Sequence, residues 1–207
     1  MIVAYHSRHS LHRRYIIAMN TTLLHPGEDR LSYIFRLFQE RGASEYHGEA
    51  VSQQEHALQA ALLAEQAGAS PALISAALLH DFGHLLYEGD EDAAEHGIND
   101  QHELFGAAWL EMIFVPAVTE PIAMHVQAKR YLCVAEAGYF EKLSAASVTS
   151  LQLQGGPMSP AEREQFEQHP HYRDAVALRH WDETAKIVGL PTPGLDHFRR
   201  YTEQVRR

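Results

Sequence analysis

Signals that start and stop helices recur at short intervals along this chain, and strand signals are nearly absent, so the fold is restricted to packed helices. Leu31 to Arg41 carries apolar residues at helical spacing and stops at Gly42, a good residue just past a helix end. Ser52 followed by Glu55 forms a capping box ahead of an apolar run that closes at Gly68. Ser70 caps and Pro71 opens the next helix, ALISAALLHDFGHLL. Asn99 or Asp100 is expected to cap QHELFGAAWLEMIF. Thr119 is expected to cap EPIAMHVQAKRYLC, with Pro121 in its first turn. Ser144 to Gln154 reads as a helix stopped by Gly155-Gly156-Pro157. Ser159-Pro160 starts another, closed at His169-Pro170. Tyr172 to Val188 reads as one long helix ending at Gly189, and the turn-rich stretch from Pro191 to Gly194 precedes a short basic amphipathic helix.

At 207 residues and 45% apolar content the chain has the size and the core material of one domain, with no internal repeat or linker to divide it. Residues 1–18 show no helical stripe and are expected to be a dispensable leader, translation beginning at Met19 and the domain covering 19–207. No run approaches the roughly 18 apolar residues of a membrane span, and the first residues lack a signal core, so a soluble cytoplasmic protein is expected. The single cysteine, Cys133, has no internal disulfide partner, fits a reducing compartment and is expected to be a buried structural thiol. A net charge of −10 argues against nucleic acid as a partner and in favour of a small substrate.

Fifteen histidines turn attention to metal chemistry, and their spacing carries more than their number. His80-Asp81 ends an apolar helix, where adjacent ligands emerge from the core at a loop. Alone, the dipeptide equally fits a satisfied core histidine beside a helix-terminal aspartate. Four further candidates lie on different expected helices: His56, His102, His125 and Asp182. Imidazole and carboxylate suit divalent first-row metals, and a carboxylate can bridge two ions about 3.5–4 Å apart. Asp81 is the expected bridge. His56, His80 and Asp182 would hold one ion with it, and His102 and His125 the other.

This order of H, HD, H, H and D resembles the HD-domain superfamily of metal-dependent enzymes over roughly residues 30 to 190. The resemblance implies an all-α fold, a single helical bundle around a dinuclear metal site, and leaves the reaction open among phosphohydrolases, cyclic-dinucleotide phosphodiesterases and di-iron oxygenases. Three expected ligands have a donor on the same helix face: His84 four residues after His80, Lys129 four after His125, and Arg179 three before Asp182. Together they would place positive charge beside the metals, suited to a phosphate or phosphonate. Each also has a bland role. Lys129 can complement a helix end, Arg179 can pair with Asp182 or Asp174 on a solvated face, and His84 can be a core imidazole.

Tyr46-x-x-Glu49, His56, His80-Asp81 with His84, His102, His125-x-x-x-Lys129-Arg130-Tyr131, the Ser147, Ser150 and Gln154 segment, and Arg179-x-x-Asp182 resemble a narrower group. They look like the phosphonate-degrading HD-domain oxygenases of the PhnZ-like family. That resemblance implies a mixed-valence enzyme with two iron ions, Fe(II)/Fe(III), that uses O2 to cleave the carbon–phosphorus bond of a 1-hydroxy-2-(amino or trimethylamino)ethylphosphonate. The products are phosphate and glycine or its N-methylated analogue. It further implies that Tyr46 occupies an iron position until substrate displaces it, with Glu49 as its partner facing the substrate ammonium. His84, Lys129, Ser147 and Arg179 would hold the phosphonate, with Ser150 and Gln154 nearby. Read without the family, Tyr46 and Glu49 sit in a polar loop, and Ser147 to Gln154 form an amphipathic helix. An HD-domain phosphohydrolase or phosphodiesterase needs the same six ligands but no displaceable phenol. A regulatory module with a vestigial site fits poorly, because no ligand is missing.

Overall fold

The computed structural model describes residues 24–46, 49–86 and 99–207; the expected leader and Met19 lie outside them. Within these limits the chain forms α1 (Arg30–Arg41), β1 (Glu45–Tyr46), β2 (Glu49–Ser52), α2 (Gln53–Gln66), α3 (Pro71–Leu79) and α4 (Phe82–Leu86). There follow α5 (His102–Leu110), α6 (Pro116–Ala135), a 3-10 turn (Phe140–Lys142), α7 (Ala145–Leu153), α8 (Pro160–Glu167), α9 (Tyr172–Thr184) and α10 (Leu195–Gln204). The fold is an all-α bundle with one small antiparallel hairpin. Five of its helices start where short polar side chains satisfy the orphan backbone donors of a first turn. Asp29 accepts from Ser32 N, Ser70 from Leu73 N and Ser144 from Ser147 N, while Ser52 with Glu55 and Ser159 with Glu162 form reciprocal capping boxes.

Helix α3 is apolar all round, and every residue from Leu73 to Leu79 is buried, so it runs through the centre with α2, α6, α9 and α10 packed about it. Leu31, Ile34, Leu37 and Phe38 of α1, Ile122 of α6 and Phe198 of α10 complete the same core. Each such side chain, fully buried, contributes about 1.5–3 kcal/mol. Phe82, directly after Asp81, is 1% exposed and lies with its ring centroid 6.3 Å from Phe38 and 5.3 Å from Trp109. The turn that carries His80 and Asp81 is therefore fixed by aromatic packing on its far side. A second cluster of Met124, Ala128, Met158, Phe166 and Ala175 joins α6 to α8 and α9.

Several local expectations are corrected. Thr119 caps nothing: α6 begins three residues earlier, at Pro116, and Pro121 lies inside it. Val118 and Ile122 are both fully buried, and packing their side chains outweighs the hydrogen bond that Pro121 cannot donate. Neither Asn99 nor Asp100 takes the cap of the next helix: Gln101 does, in the left-handed region at φ 53° and with no side-chain cap bond, and the helix ends at Leu110 in a turn held to the C-terminus, where Arg207 N donates to Ile113 O at 2.8 Å and Phe114 bridges to Arg206. Helix α9 ends at Thr184 and not at Val188: the Ala185 carbonyl turns aside to accept from His56 Nδ1 at 2.8 Å. Finally, Tyr46 and Glu49 are not in a loop but face each other across the hairpin, where Val51 is buried. Cys133, expected to be a buried thiol, is only half-buried. No described helix is long and apolar enough to cross a membrane.

Candidate metal centre

The six expected ligands come together from four helices and the turn between α3 and α4. His56 lies in the first half of α2, His80 caps the C-terminus of α3, Asp81 follows it, His102 opens α5, His125 lies midway along α6, and Asp182 lies near the end of α9. Asp81 stands between two imidazole pairs. Its Oδ2 is 3.3 Å from His80 Nε2 and 3.6 Å from His56 Nε2, and its Oδ1 is 3.4 Å from His102 Nε2 and 3.5 Å from His125 Nε2. Asp182 Oδ1 completes the first set, 3.5 Å from His56 Nε2 and 3.8 Å from His80 Nε2.

The remaining ring nitrogens determine what this cluster can bind. Nδ1 of His56, His80 and His125 each donates to a backbone carbonyl, of Ala185, Ala77 and Ile122, at 2.8, 2.9 and 2.8 Å. His102 Nδ1 lies 2.9 Å from Asp100 Oδ1. These bonds fix the tautomers, so in each neutral ring the Nε2 lone pair points inward. His56 and His80 then face each other at 3.1 Å, His102 and His125 at 3.3 Å, and Asp182 Oδ1 is buried with no hydrogen-bond partner. Lone pairs and carboxylates directed at one another need protons or metal cations between them. An ion bound at about 2.0–2.2 Å brings neighbouring donor atoms to roughly 3.0–3.5 Å from one another, which matches these spacings.

The titration of the rings reports the same demand. Burial opposes charge on His80, yet Asp81 and Asp182 hold its imidazole up to about 10, and Asp100 and Asp81 likewise raise His102 against burial. Burial takes His125 down to about 3, where His80 and His102 add repulsion that Asp81 does not offset. The Asp81 and Asp182 carboxyls stay far below the usual range despite burial, held by His80 and His102 in one case and first by Arg179 in the other. Protons on His80 and His102 supply part of the positive charge that bound metal would supply in full.

Backbone packing places His102. A side chain on Gly83 would meet the His102 carbonyl at 2.1 Å, and one on Gly106 would meet Gly83 N at 2.9 Å. Helices α4 and α5 therefore touch through bare backbone, which brings His102 up to Asp81. The chain turns between α3 and α4, so His84 does not share a helix face with His80 as expected; from α4 it stacks on the His102 ring at 3.9 Å, and Asp81, His84 and His102 lie close enough together to share an ion.

Tyr46 is 8% exposed, with its ring stacked on His56 at 3.9 Å and its hydroxyl hydrogen-bonded to Asp81. Burial, then the Asp81 and Asp182 charges, push the phenol well above its ordinary value. Beside the cluster Arg179 is 5% exposed and belongs to no solvated face. Its Nη1 donates to Asp182, its Nη2 to Glu183 and, at 3.5 Å, to Ser147 Oγ, and its Nε to Tyr139 OH at 2.9 Å. Asp174 pairs with His171 instead. Lys129 is also buried and donates to Ser150 Oγ at 2.7 Å, while Ser150 Oγ donates to Ser147 O at 3.2 Å. Burial, reinforced by Arg179, lowers its ammonium to about 7. Gln154 caps α7, and its Oε1 is buried without a partner. Glu49 accepts from Lys186.

Sequence reasoning missed four residues. Asp100 joins His102 to His84, the latter through Nδ1 at 3.2 Å from Oδ2; its place two residues before His102, an expected ligand, was the available signal. Glu183 and Tyr139 share the Arg179 guanidinium, and Glu183 follows Arg179 by four, the spacing of a helical ion pair. Lys186 is brought to Glu49 by the early end of α9, which no local signal announces.

The fold and the cluster define a helical protein with a buried histidine and aspartate centre suited to metal ions. No family model matches the chain. A hydroxymethylphosphonate dioxygenase of Gimesia maris is 48% identical over 180 residues, covering 86% of this chain and 88% of that protein. A [1-hydroxy-2-(trimethylamino)ethyl]phosphonate dioxygenase (glycine-betaine-forming) of Leisingera caerulea is 42% identical over 81% of this chain and 86% of that protein. An uncharacterized protein of Acanthamoeba polyphaga mimivirus is 37% identical over 80% and 77%. The chain belongs to the phosphonate dioxygenase family.

Proposed function

We propose that this chain is a di-iron oxygenase that uses O2 to cleave the carbon–phosphorus bond of a 1-hydroxyalkylphosphonate, giving phosphate and a carboxylate. The observation that carries the assignment is Asp81, whose two oxygens face two separate imidazole pairs, with the Tyr46 hydroxyl bonded to the same carboxylate. His56, His80 and Asp182 would hold one iron and His102 and His125 the other, with Asp81 shared. A mixed-valence Fe(II)/Fe(III) pair would supply the dioxygen chemistry that side chains lack. A hydrolytic pair has no use for a phenol at the bridging carboxylate.

The substrates named for the two dioxygenase relatives have a 1-hydroxyphosphonate in common, and we assign that unit to this chain. The reaction balances without a reductant: R–CH(OH)–PO3²⁻ and O2 become R–COO⁻, HPO4²⁻ and H⁺, the substrate supplying all four electrons. Lys129, Arg179 and the Ser147 and Ser150 hydroxyls would receive the phosphonate oxygens, with His84 and Gln154 at the edges of that face. Arg179 does double duty, since it also orients Asp182. Tyr46 covers the centre until substrate arrives, and Glu49 steadies its strand. A primary or trimethylated ammonium on the second carbon would give glycine or glycine betaine.

Protein prepared anaerobically with ferrous iron is expected to consume one O2 per phosphate released from hydroxymethylphosphonate, 1-hydroxy-2-aminoethylphosphonate or its trimethylated analogue. Phosphate release that runs equally well without O2 would identify a hydrolase instead.

A further inference from the structure

Lys186 has no part in the roles above, yet its ammonium meets residues from three parts of the fold. Nζ lies 3.2 Å from Glu49 Oε1 on β2, 3.3 Å from Ser147 Oγ and 3.4 Å from Ser144 Oγ at the start of α7, and 3.5 Å from Glu183 Oε1 on α9. Its backbone is fixed on both sides. Ala185 O accepts from His56 Nδ1 at 2.8 Å, and Ile187 exchanges two hydrogen bonds with the Gln59 side chain, at 3.0 and 2.8 Å. Lys186 is thus a charge on a flexible stem above a rigid base, able to change partners without moving the chain.

Its partners belong to two different groups. Ser147 also receives Arg179 Nη2, and Lys129 reaches the same turn of α7 through Ser150, so three cations converge on the proposed phosphonate-binding face. Glu49 belongs instead to the hairpin, where it faces Tyr46, whose hydroxyl bonds to Asp81 and whose ring covers His56. A phosphonate dianion arriving at Ser147 brings three acceptor oxygens and more charge than one carboxylate, and it competes with Glu49 for the same ammonium.

We propose that Lys186 is a shared cation: in the substrate-free protein it pairs with Glu49 and holds the hairpin down, and in the complex it turns to the phosphonate. The transfer frees Glu49 and loosens the strand that keeps Tyr46 over the centre. Tyr46 then withdraws only after the anion has arrived. This role rests on the phosphonate oxygenase assignment made above.

The test compares wild type, Lys186→Met and Lys186→Arg, loaded with ferrous iron under nitrogen so that nothing turns over, with and without hydroxymethylphosphonate. Hydrogen–deuterium exchange is read on peptides covering both strands, and phosphonate affinity by calorimetry. Wild-type strands are expected to exchange several-fold faster once phosphonate is added. Lys186→Met should exchange fast from the start, ignore phosphonate, and bind it roughly tenfold more weakly, equivalent to about 1.4 kcal/mol. Lys186→Arg should restore both properties. Strands that stay protected in Lys186→Met and still respond to phosphonate overturn the proposal. If Lys186→Met does not fold, Glu49→Gln is expected to show fast exchange with phosphonate affinity retained, and unchanged exchange there overturns the proposal equally. Wild-type protein that binds hydroxymethylphosphonate while Lys186→Met binds it as tightly overturns the role of Lys186 alone. Wild-type protein that binds no hydroxyalkylphosphonate overturns the functional assignment, and this proposal with it.

Discussion

His84 and His102 lie face to face, ring centroids 3.9 Å apart and planes 27° from parallel, and the two oxygens of Asp100 hold one ring each. Burial opposes charge on Asp100, yet hydrogen bonds from both imidazoles keep its carboxyl far below the usual range. Asp100 is a positioning residue: it fixes the tautomer through which His102 addresses Asp81. Asp100→Asn is expected to weaken metal binding on the His102 and His125 side by about 10–100-fold while sparing the other side. Metal content after passage over a weak chelator should fall from two ions toward one per chain. Retention of both at wild-type affinity would show that His102 needs no such partner.

Gly83→Ala should damage the centre without touching a ligand. The added carbon would stand 2.1 Å from the His102 carbonyl, a backbone atom that cannot swing aside. The helix pair must separate, at a cost of about 3 kcal/mol. A lowered thermal midpoint together with reduced metal content is the expected result, and a variant as stable as wild type would contradict the close contact.

Burial brings the Lys129 ammonium to about 7, so its charge disappears as pH rises through neutrality. Phosphonate affinity should therefore be strongest below pH 7 and weaken above it. Lys129→Arg keeps its charge throughout, and its KM should rise less steeply from pH 7 upward. Parallel profiles for the two proteins would remove Lys129 from substrate binding.

Tyr46→Phe deletes the hydroxyl that bonds to Asp81 and leaves the ring stacked on His56. The visible spectrum of iron-loaded, substrate-free protein is expected to change, and O2 consumption without phosphate release should increase. An identical spectrum would place the phenol away from the metals.

At the edge of the bundle Arg36 grips Glu28 with two hydrogen bonds, at 2.8 and 2.9 Å, and holds its carboxyl down to about 2, with help from the His25 N–H. The folded value lies below the unfolded one of about 4.3. The stabilisation is complete above the unfolded value and is lost as pH falls from there toward 2. Urea midpoints of wild type and Glu28→Gln should differ at neutral pH and converge near pH 2. A gap that persists in acid would mean that the pair contributes nothing.

The features readable in the sequence share a physical character: each is local or is forced by ligand chemistry. Ser52 with Glu55 and Ser159 with Glu162 announce their helices because a cap needs only the residues within one turn. His56, His80, Asp81, His102, His125 and Asp182 stand out because few residue types bind metals. Decisions made by distant contacts could not be read. Val118 and Ile122 carry α6 through Pro121 because the core accepts them, and α9 stops at Thr184 because His56, far away in the chain, takes the next carbonyl. The hairpin strands of Tyr46 and Glu49 are too short for any alternation to register. Lys186 and Asp100 escaped because a single charged residue acquires a role only from the partners that the fold brings to it.

The spread of the six inward-facing side chains from His56 to Asp182 also bears on how the protein comes into being. A chain still emerging from the ribosome holds His56, His80 and Asp81 long before it holds Asp182, whose carboxylate completes the first set of donors and whose neighbour Ala185 locks the His56 ring. Until that late segment arrives, the inward lone pairs have no fixed orientation and no closed shell. The order of residues along the chain thus delays the closed cluster until the helices that shield it have been made. Once closed, it ties the second helix to the ninth as a staple would, so that stripping the metal should loosen both ends of the bundle together.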